Sequence, residues 1–365
     1  MKRVAVVALL LVACREAPRP ETAVTPAAPP SASATATASA AATAPAMACQ
    51  PGPASAMTLH FFDVGQGLAA LVELPDGRLV LVDTGDAPAR SEEQCHGACR
   101  GWHAHLMSKL HDVVGARAID LLWITHQHSD HLGGAVDILA NFKVAALVDN
   151  GQEPSKKEVR EMHEAAVRAG ARYVTVDPDH HEVPLAPAGS VRLAAVVPRA
   201  WPADCAHEPN DCSIGLRIDD CRSSVLFVGD AEKLEEPQLD PGGPATLLQV
   251  GHHGSETSTT AAFLQRVKPS YAVISCAKRD EGTNESYCHP REAVIERLDA
   301  VLGGTMAGSV VAFDGKRRCK KAGAEDWRPA PTRARLFVTA RDGDVTLRTL
   351  GDAAFTRVEA PPAER

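Results

Sequence analysis

The sequence predicts an α/β fold in which two β-sheets are covered by helices, and three observations carry that expectation. Short β-rich runs over 58–63, 68–74 and 78–83 open the folded part as a meander, with Pro75-Asp76-Gly77 as the turn signal between the last two. Apolar strand-like runs then alternate with helical patterns: strand 119–125, helix 133–141, strand 145–148, helix 155–169, strand 172–176. The second half repeats that order, with β runs at 191–197, 213–218 and 223–228, then strand 245–250, helix 260–266, strand 271–275 and helix 290–301. Meanders and αβ units in one chain argue for two sheets whose apolar faces need helices over them. A short helix is expected at about 103–111, and a closing hairpin at 335–339 and 344–349 around Asp342-Gly343. No internal sequence repeat accompanies the repeated order of elements.

The chain has 365 residues, 45% of them hydrophobic, which suffices for one large core or two ordinary ones. With 38 basic and 46 acidic side chains its formal charge is −8, so the bulk surface offers no long-range attraction for nucleic acid, although a local basic groove is compatible with it.

The N-terminus reads as an address. Met1-Lys2-Arg3 is a positive leader to an apolar stretch over 4–13, which is too short for a bilayer core that needs roughly 20 residues. A secretory signal peptide over 1–14 is therefore expected. Leu11-Val12-Ala13-Cys14 resembles the lipobox of bacterial lipoproteins, which implies cleavage before Cys14 and lipidation of its thiol; the alternative is an ordinary signal peptide with an incidental cysteine. Residues 15–50, rich in Ala, Pro, Thr and Ser, offer too little apolar area to offset chain entropy and predict a disordered linker. A body over 51–350 and a tail over 351–365 follow. The expected location is extracytoplasmic, anchored by lipid in the bacterial cell envelope, at the periplasm or outer membrane.

Export makes disulfides permissible. Setting Cys14 aside, nine cysteines remain, so at least one is free or pairs between chains. Cys95 and Cys99, with His96 and His103 nearby, read as a local disulfide in preference to a zinc knuckle.

The chemistry concentrates in Thr125-His126-Gln127-His128-Ser129-Asp130-His131, at the end of an apolar strand. Imidazole and carboxylate suit zinc, manganese or iron, and a turn at a strand end can aim His126 and His128 one way and Asp130 and His131 another, toward two neighbouring ions. The sequence has no Gly-x-Ser-x-Gly elbow and no phosphate loop.

These residues resemble the first metal motif of the metallo-β-lactamase fold. Phe62-Asp63-Val64-Gly65-Gln66-Gly67, Leu81-Val82-Asp83-Thr84-Gly85, Val228-Gly229-Asp230, Val250-Gly251-His252-His253-Gly254-Ser255 and His289-Pro290 extend the likeness to ComEC-type hydrolase domains over about 57–350. The resemblance implies a four-layer αββα sandwich. It also implies a first metal on His126 and His128, a second on Asp130, His131 and a later histidine, and Asp230 bridging the two. His253 is favoured as the later histidine, with His252 close behind. Asp83 resembles the family's inner carboxylate, able to hold a ligand histidine by its second ring nitrogen.

Two departures stand out. The wider fold has one more histidine before the bridging aspartate, where this chain has Glu208-Pro209-Asn210-Asp211-Cys212-Ser213. His207, Asn210 or Asp211 could complete that site, and a single ion or manganese would then compete with two zinc ions. Leu68 stands where ComEC-type domains usually carry aspartate.

The implied function is an exported metal-dependent hydrolase that uses a metal-bound hydroxide on phosphodiesters, with nucleic acid among its candidate substrates. Asp130 would orient the water, and His289 could serve as the leaving-group acid. Ser255, Thr257, Ser258 and the 284–289 loop are candidate phosphate contacts. The basic run Lys316 to Lys321 falls in an expected insertion at about 303–332. The alternatives are a β-lactamase or other amide or ester hydrolase on the same fold, and a non-catalytic binding lipoprotein with a degraded metal site.

Overall fold

Period-two burial builds the first sheet. In the computed structural model, which describes residues 49–88, 101–152, 157–203, 205 and 207–359, strand β1 (Met57–Phe61) buries Met57, Leu59 and Phe61 and leaves Thr58 and His60 partly open. Strands β2 (Ala70–Glu73) and β3 (Leu79–Val82) are apolar at successive positions because both of their faces are covered. Ala70, Val72, Val80 and Val82 point into the core between the sheets, while Leu71, Leu79 and Leu81 point outward beneath helices.

The first sheet has eight strands. Its order is β16 (Thr356–Arg357), β15 (Val345–Thr349), β1, β2, β3, β4 (Leu121–Trp123), β5 (Ala146–Asp149) and β6 (Arg172–Thr175). It is antiparallel from β16 to β3 and parallel from β3 to β6. Helices α1 (Trp102–Val114), α3 (Ala135–Asn141) and α4 (Lys157–Ala169) cover its outer face through Leu106, Leu110, Ile138, Val159 and Met162; the one-turn α2 (Ser129–Leu132) precedes α3.

The second sheet repeats that plan with six strands: β14 (Leu336–Val338), β11 (Tyr271–Ile274), β10 (Leu247–Gln249), β9 (Ser223–Phe227), β8 (Gly215–Asp220) and β7 (Arg192–Val196). Strands β7 to β9 form an antiparallel meander, and β9, β10, β11 and β14 run parallel. Helices α5 (Ala261–Val267) and α7 (Glu292–Val301) seal its outer face with Phe263, Leu264, Val294 and Leu298. The central core draws on both sheets, with the Phe61 and Phe227 rings 5.9 Å apart, and burying each such ring is worth about 2–3 kcal/mol. Helix, sheet, sheet, helix is the expected four-layer αββα architecture.

The expected closing hairpin does not form. Strand β14 pairs in parallel with β11 in the second sheet, whereas β15 pairs antiparallel with β1 in the first. Between them the chain makes a single helical turn, α8 (Thr339–Asp342), which Gly343 ends by donating its N–H to the Thr339 carbonyl. Leu336 and Val338 fill the outer core of the second sheet and Val345 and Leu347 the inter-sheet core, so burial separates two strands that adjacency would have paired. The insertion folds as its own hairpin, β12 (Met306–Phe313) with β13 (Trp327–Arg333), and α6 (Asn284–Tyr287) lies beside its tip.

Among the described residues, disulfides join Cys49 to Cys221, Cys205 to Cys212 and Cys288 to Cys319, and Cys276 is a buried free thiol. No described helix is long and apolar enough to cross a membrane. The signal segment with Cys14, the linker up to residue 48, the Cys95–Cys99 loop and the last residues of the tail lie outside the described residues.

Candidate metal centre

Two pairs of parallel strands, one in each sheet, deliver the site from their C-terminal ends. Asp83 follows β3, Thr125 and His126 follow β4, Asp230 follows β9, and His252 and His253 follow β10. The two sheets are stitched together where these ends meet. The Trp123 indole donates to the Ile214 carbonyl (3.0 Å) and the Ile214 N–H to the Thr125 carbonyl (2.8 Å), while within the second sheet the Ser213 hydroxyl accepts from the Asp230 N–H (3.1 Å). Gly229 lets Asp230 come this close: its φ is +55°, and a Cβ there would lie 2.7 Å from the Thr125 side chain.

The side chains converge around Asp230. One Asp230 carboxylate oxygen lies 3.2 Å from His131 Nε2, 3.3 Å from His253 Nε2, 3.8 Å from His252 Nε2 and 3.9 Å from His126 Nε2. His131 Nε2 and His253 Nε2 are 3.1 Å apart, and His253 Nε2 is 3.4 Å from Asp130. His126 Nε2 and His128 Nδ1 are also 3.1 Å apart. Two groups therefore have ligand atoms close enough to share an ion: His126, His131 and Asp230, and Asp130, His131 and His253.

The outer nitrogens are already engaged, which turns the inner ones toward the centre. His131 Nδ1 donates to Asp83 (2.7 Å), His253 Nδ1 to the Ser275 carbonyl (2.9 Å) and His252 Nδ1 to Glu232 (2.6 Å). His252 and His253 both have positive φ, 47° and 53°, a strained pair of conformations that swings both rings to one cleft. The geometry thus separates the two neighbours: His253 stands with Asp130 and His131, while His252 stands with Glu232 and Asn210, the latter 3.4 Å away.

Burial and charge oppose one another here. Burial disfavours the Asp230 anion, but the surrounding histidines, His131 and His253 foremost, hold its carboxyl well below the usual range. Burial likewise resists charging of His253, yet Asp230 and Asp130 hold it up at about 9. His126 goes the other way, pushed well below the ordinary histidine range by burial and by His131. Burial raises the Asp83 carboxyl and opposes charge on His131. We place the proton of that pair on His131, because Asp83 also accepts two hydrogen bonds from Thr125 and Asp230 lies opposite.

This donor set fits divalent cations. Asp230 Oδ1 and Asn210 Oδ1 are buried without a hydrogen-bond partner among the described residues, an arrangement costing about 1–3 kcal/mol per atom unless an ion or water answers it. His207, the nearest histidine to the expected missing ligand, is exposed and does not line the cleft; Asn210 does. Ser258 is not a substrate contact: it is fully buried and donates to the Ala231 carbonyl. Asn284 is also internal, bonded to Ala277 and His289.

The centre opens into a cleft of about 580 Å³ whose walls include His128, Asp130, Asn210, Ser255, Thr257 and His289. Three wall residues had no role in the sequence reading. Glu232 anchors His252, and Gln66 donates to His289 Nδ1 (3.0 Å). Arg291 brings a cation whose Nε is buried without a hydrogen-bond partner. Glu232 lies two positions after Asp230 and Arg291 two after His289, and nothing in their local patterns marks them.

The sequence profile of the metallo-beta-lactamase superfamily matches residues 62–278, which span every one of these strand ends. The chain belongs to that superfamily. It is 32% identical over 257 residues to Recombination protein 2 of Haemophilus influenzae and 29% identical over 256 residues to ComE operon protein 3 of Bacillus subtilis. Each alignment takes in 68% of this chain but only 28% and 31% of those relatives, so the chain spans less than a third of their length. Among solved structures, the metallo-beta-lactamase fold protein YhfI of Bacillus subtilis aligns over 60% of this chain and 86% of its own, with 13% identity and a TM-score of 0.38.

Proposed function

We propose that this member of the superfamily is a metal-dependent hydrolase of phosphodiesters. The carrying observation is the juxtaposition, in one cleft, of the buried Asp230-centred cluster and a wall of anion-binding donors: Arg291, the Ser286 hydroxyl and His289. A phosphodiester brings one negative charge and two non-bridging oxygens, which such a wall suits. His126, His128 and Asp230 would hold one divalent ion, and Asp130, His131 and His253 a second. Zinc suits the imidazoles, and the amide oxygen of Asn210 admits manganese. A bound ion of this kind acidifies water and polarises the scissile group. Asp130 would orient that water and take its proton on a carboxylate oxygen. Gln66 accepts weakly from the Ala277 N–H (3.4 Å), so its amide nitrogen faces His289 Nδ1. The His289 proton then sits on Nε2, available to a departing oxygen.

The test is elemental analysis of the purified full chain with assays on bis-p-nitrophenyl phosphate and nitrocefin, beside a His128→Ala/Asp130→Ala variant. The expected result is bound zinc or manganese and phosphodiester turnover that the variant loses by at least a hundredfold. Nitrocefin turnover alone would move the protein to amide hydrolysis, and inert protein without metal would make it a binding scaffold.

The site of action belongs to the same proposal: export, and anchoring through lipid on Cys14. The disulfides support it, since such bonds persist in oxidising compartments. Mass spectrometry of the mature N-terminus should find lipid on Cys14, and Cys14→Ser should release the protein from membranes; an unprocessed N-terminus would refute the anchor.

A further inference from the structure

We infer that the tip of the β12–β13 hairpin is a binding arm for the backbone of single-stranded nucleic acid, pinned to the lip of the cleft by the Cys288–Cys319 disulfide. The inference rests on the phosphodiesterase reading for its purpose, though not for its geometry. Cys288 lies between Tyr287 and His289, both of which line the cleft, and its Cα is 5.7 Å from that of Cys319. A second attachment holds the strand end from which the tip springs. Phe313, the last residue of β12, donates its N–H to the Pro290 carbonyl (2.9 Å), and the Arg291 guanidinium lies 4.7 Å from the centre of the Phe313 ring. The segment between these anchors is therefore fixed beside the catalytic wall.

That segment carries five cations in six positions, 316–321. Lys316 pairs with Asp314 (3.5 Å) and Arg317 with Glu325 (2.8 Å). Arg318, Lys320 and Lys321 are exposed and have no ion pair among the described residues. Even counted against Glu285 of the neighbouring α6, they leave a positive surplus at the lip of a protein whose overall charge is −8. A polyanion repelled by the average surface gains attraction here, next to the cluster that would cut it. Tyr287 selects among polyanions. It presents 46% of its surface at the same lip, with its ring 6.1 Å from that of His289, and an aromatic face beside a cationic track suits unpaired bases.

The experiment uses the full chain, treated with chelator, and a labelled 20-nucleotide oligo-dT, with anisotropy followed against salt. Arg318→Gln/Lys320→Gln/Lys321→Gln should weaken binding about tenfold at low salt and flatten the log–log salt slope by about 2, three contacts at roughly 0.7 each. Its turnover of bis-p-nitrophenyl phosphate should equal that of the unaltered protein. Cys319→Ser should keep that small-substrate turnover while lowering oligonucleotide cleavage several-fold. An unchanged affinity and slope in the triple variant would overturn the arm, and unchanged cleavage by Cys319→Ser would overturn the tether. Tighter binding of polyglutamate or of anionic phosphatidylglycerol vesicles than of oligo-dT would also overturn the assignment. Charge-dependent binding without any phosphodiester turnover would sink the phosphodiesterase reading and leave the arm standing.

Discussion

His131 Nδ1 lies 2.7 Å from Asp83 Oδ2, and neither side chain has measurable solvent exposure. Asp83 is saturated: Oδ1 accepts from the Thr125 N–H and Oδ2 from the Thr125 hydroxyl, each at 2.8 Å. Asp83→Asn puts an amide NH2 against one of these donors whichever way it turns, so either the turn carrying His126 or the orientation of His131 gives way. Metal affinity should fall about 10–100-fold, the usual cost of losing a partner behind a ligand histidine. Competition with a chromophoric chelator measures it, and an unchanged affinity would remove Asp83 from the centre.

Metal should also act as a stabiliser. Burying Asp230 among four histidines leaves the metal-free centre with costly charge and unanswered acceptors. At zinc a thousandfold above its dissociation constant, linkage contributes about 4 kcal/mol. For a domain of this size that corresponds to a rise on the order of 8 °C in Tm. Scanning fluorimetry in chelator and then in zinc should show the rise, and Asp230→Ala should abolish it. A variant that still gained the full shift would place the ion elsewhere.

Gly65 provides a backbone test. Its φ is +73°, and an added Cβ would meet the Trp102 indole at 2.7 Å. Gly65→Ala therefore combines backbone strain with a clash against a well-buried ring, costing about 2–3 kcal/mol. The displaced neighbour is Gln66, so phosphodiester turnover should fall with stability. A urea titration checks the first effect, and a midpoint equal to that of the unaltered protein would contradict the contact.

A pH-dependent clasp holds the same loop from its other side. His105 Nε2 lies 2.8 Å from Asp344 Oδ1, and that oxygen also accepts the Asp63 N–H at 2.9 Å. The bond to Asp344 raises His105 above its ordinary range; burial works against the Asp344 anion, but His105 and the Asp63 N–H still lower its carboxyl. A raised histidine contributes below its unfolded pKa of about 6.5 and fades as pH rises through its folded value; a lowered aspartate contributes above about 3.9 and fades as pH falls through its own. The pair therefore stabilises most at about pH 4–6.5, by less than about 1 kcal/mol because it is partly exposed. Asp344→Asn should lower stability more at pH 5.5 than at pH 8.5, and denaturant midpoints showing equal losses would refute the clasp.

The outline of both fold and site was legible because local pattern carries it. Leu71 and Val72 face opposite sides of their strand, and alternation of that kind yields the strands and their covered faces. His126, His128, Asp130 and His131 share one turn, so spacing alone brings them together. What the sequence withheld depends on distant partners. Strands β14 and β15 look like a hairpin until β11 and β1 claim them separately. His252 and His253 are chemically identical neighbours, told apart only by Glu232 on one side and Asp130 with His131 on the other. Ser258 shares the polarity of Ser255 and Thr257, yet the turn folds it inward to Ala231.

The Gln66–His289 pair gives the sharpest test of the proposed chemistry. Gln66 Nε2 is 3.0 Å from His289 Nδ1, and burial pushes His289 well below the ordinary histidine range, so the ring is neutral at pH 7. A neutral imidazole that accepts at Nδ1 carries its proton on Nε2, the form a leaving-group acid needs. Gln66→Leu removes that bias and lets the other tautomer form. The loss should then scale with how much the departing oxygen needs a proton. Turnover of bis-p-nitrophenyl phosphate, whose leaving group is stable as an anion, should change less than about threefold. Turnover of a dinucleotide, with an alkoxide leaving group, should fall about tenfold or more, within the range general acids supply. Equal losses on both substrates would make Gln66 a structural contact and leave His289 without the acid's role.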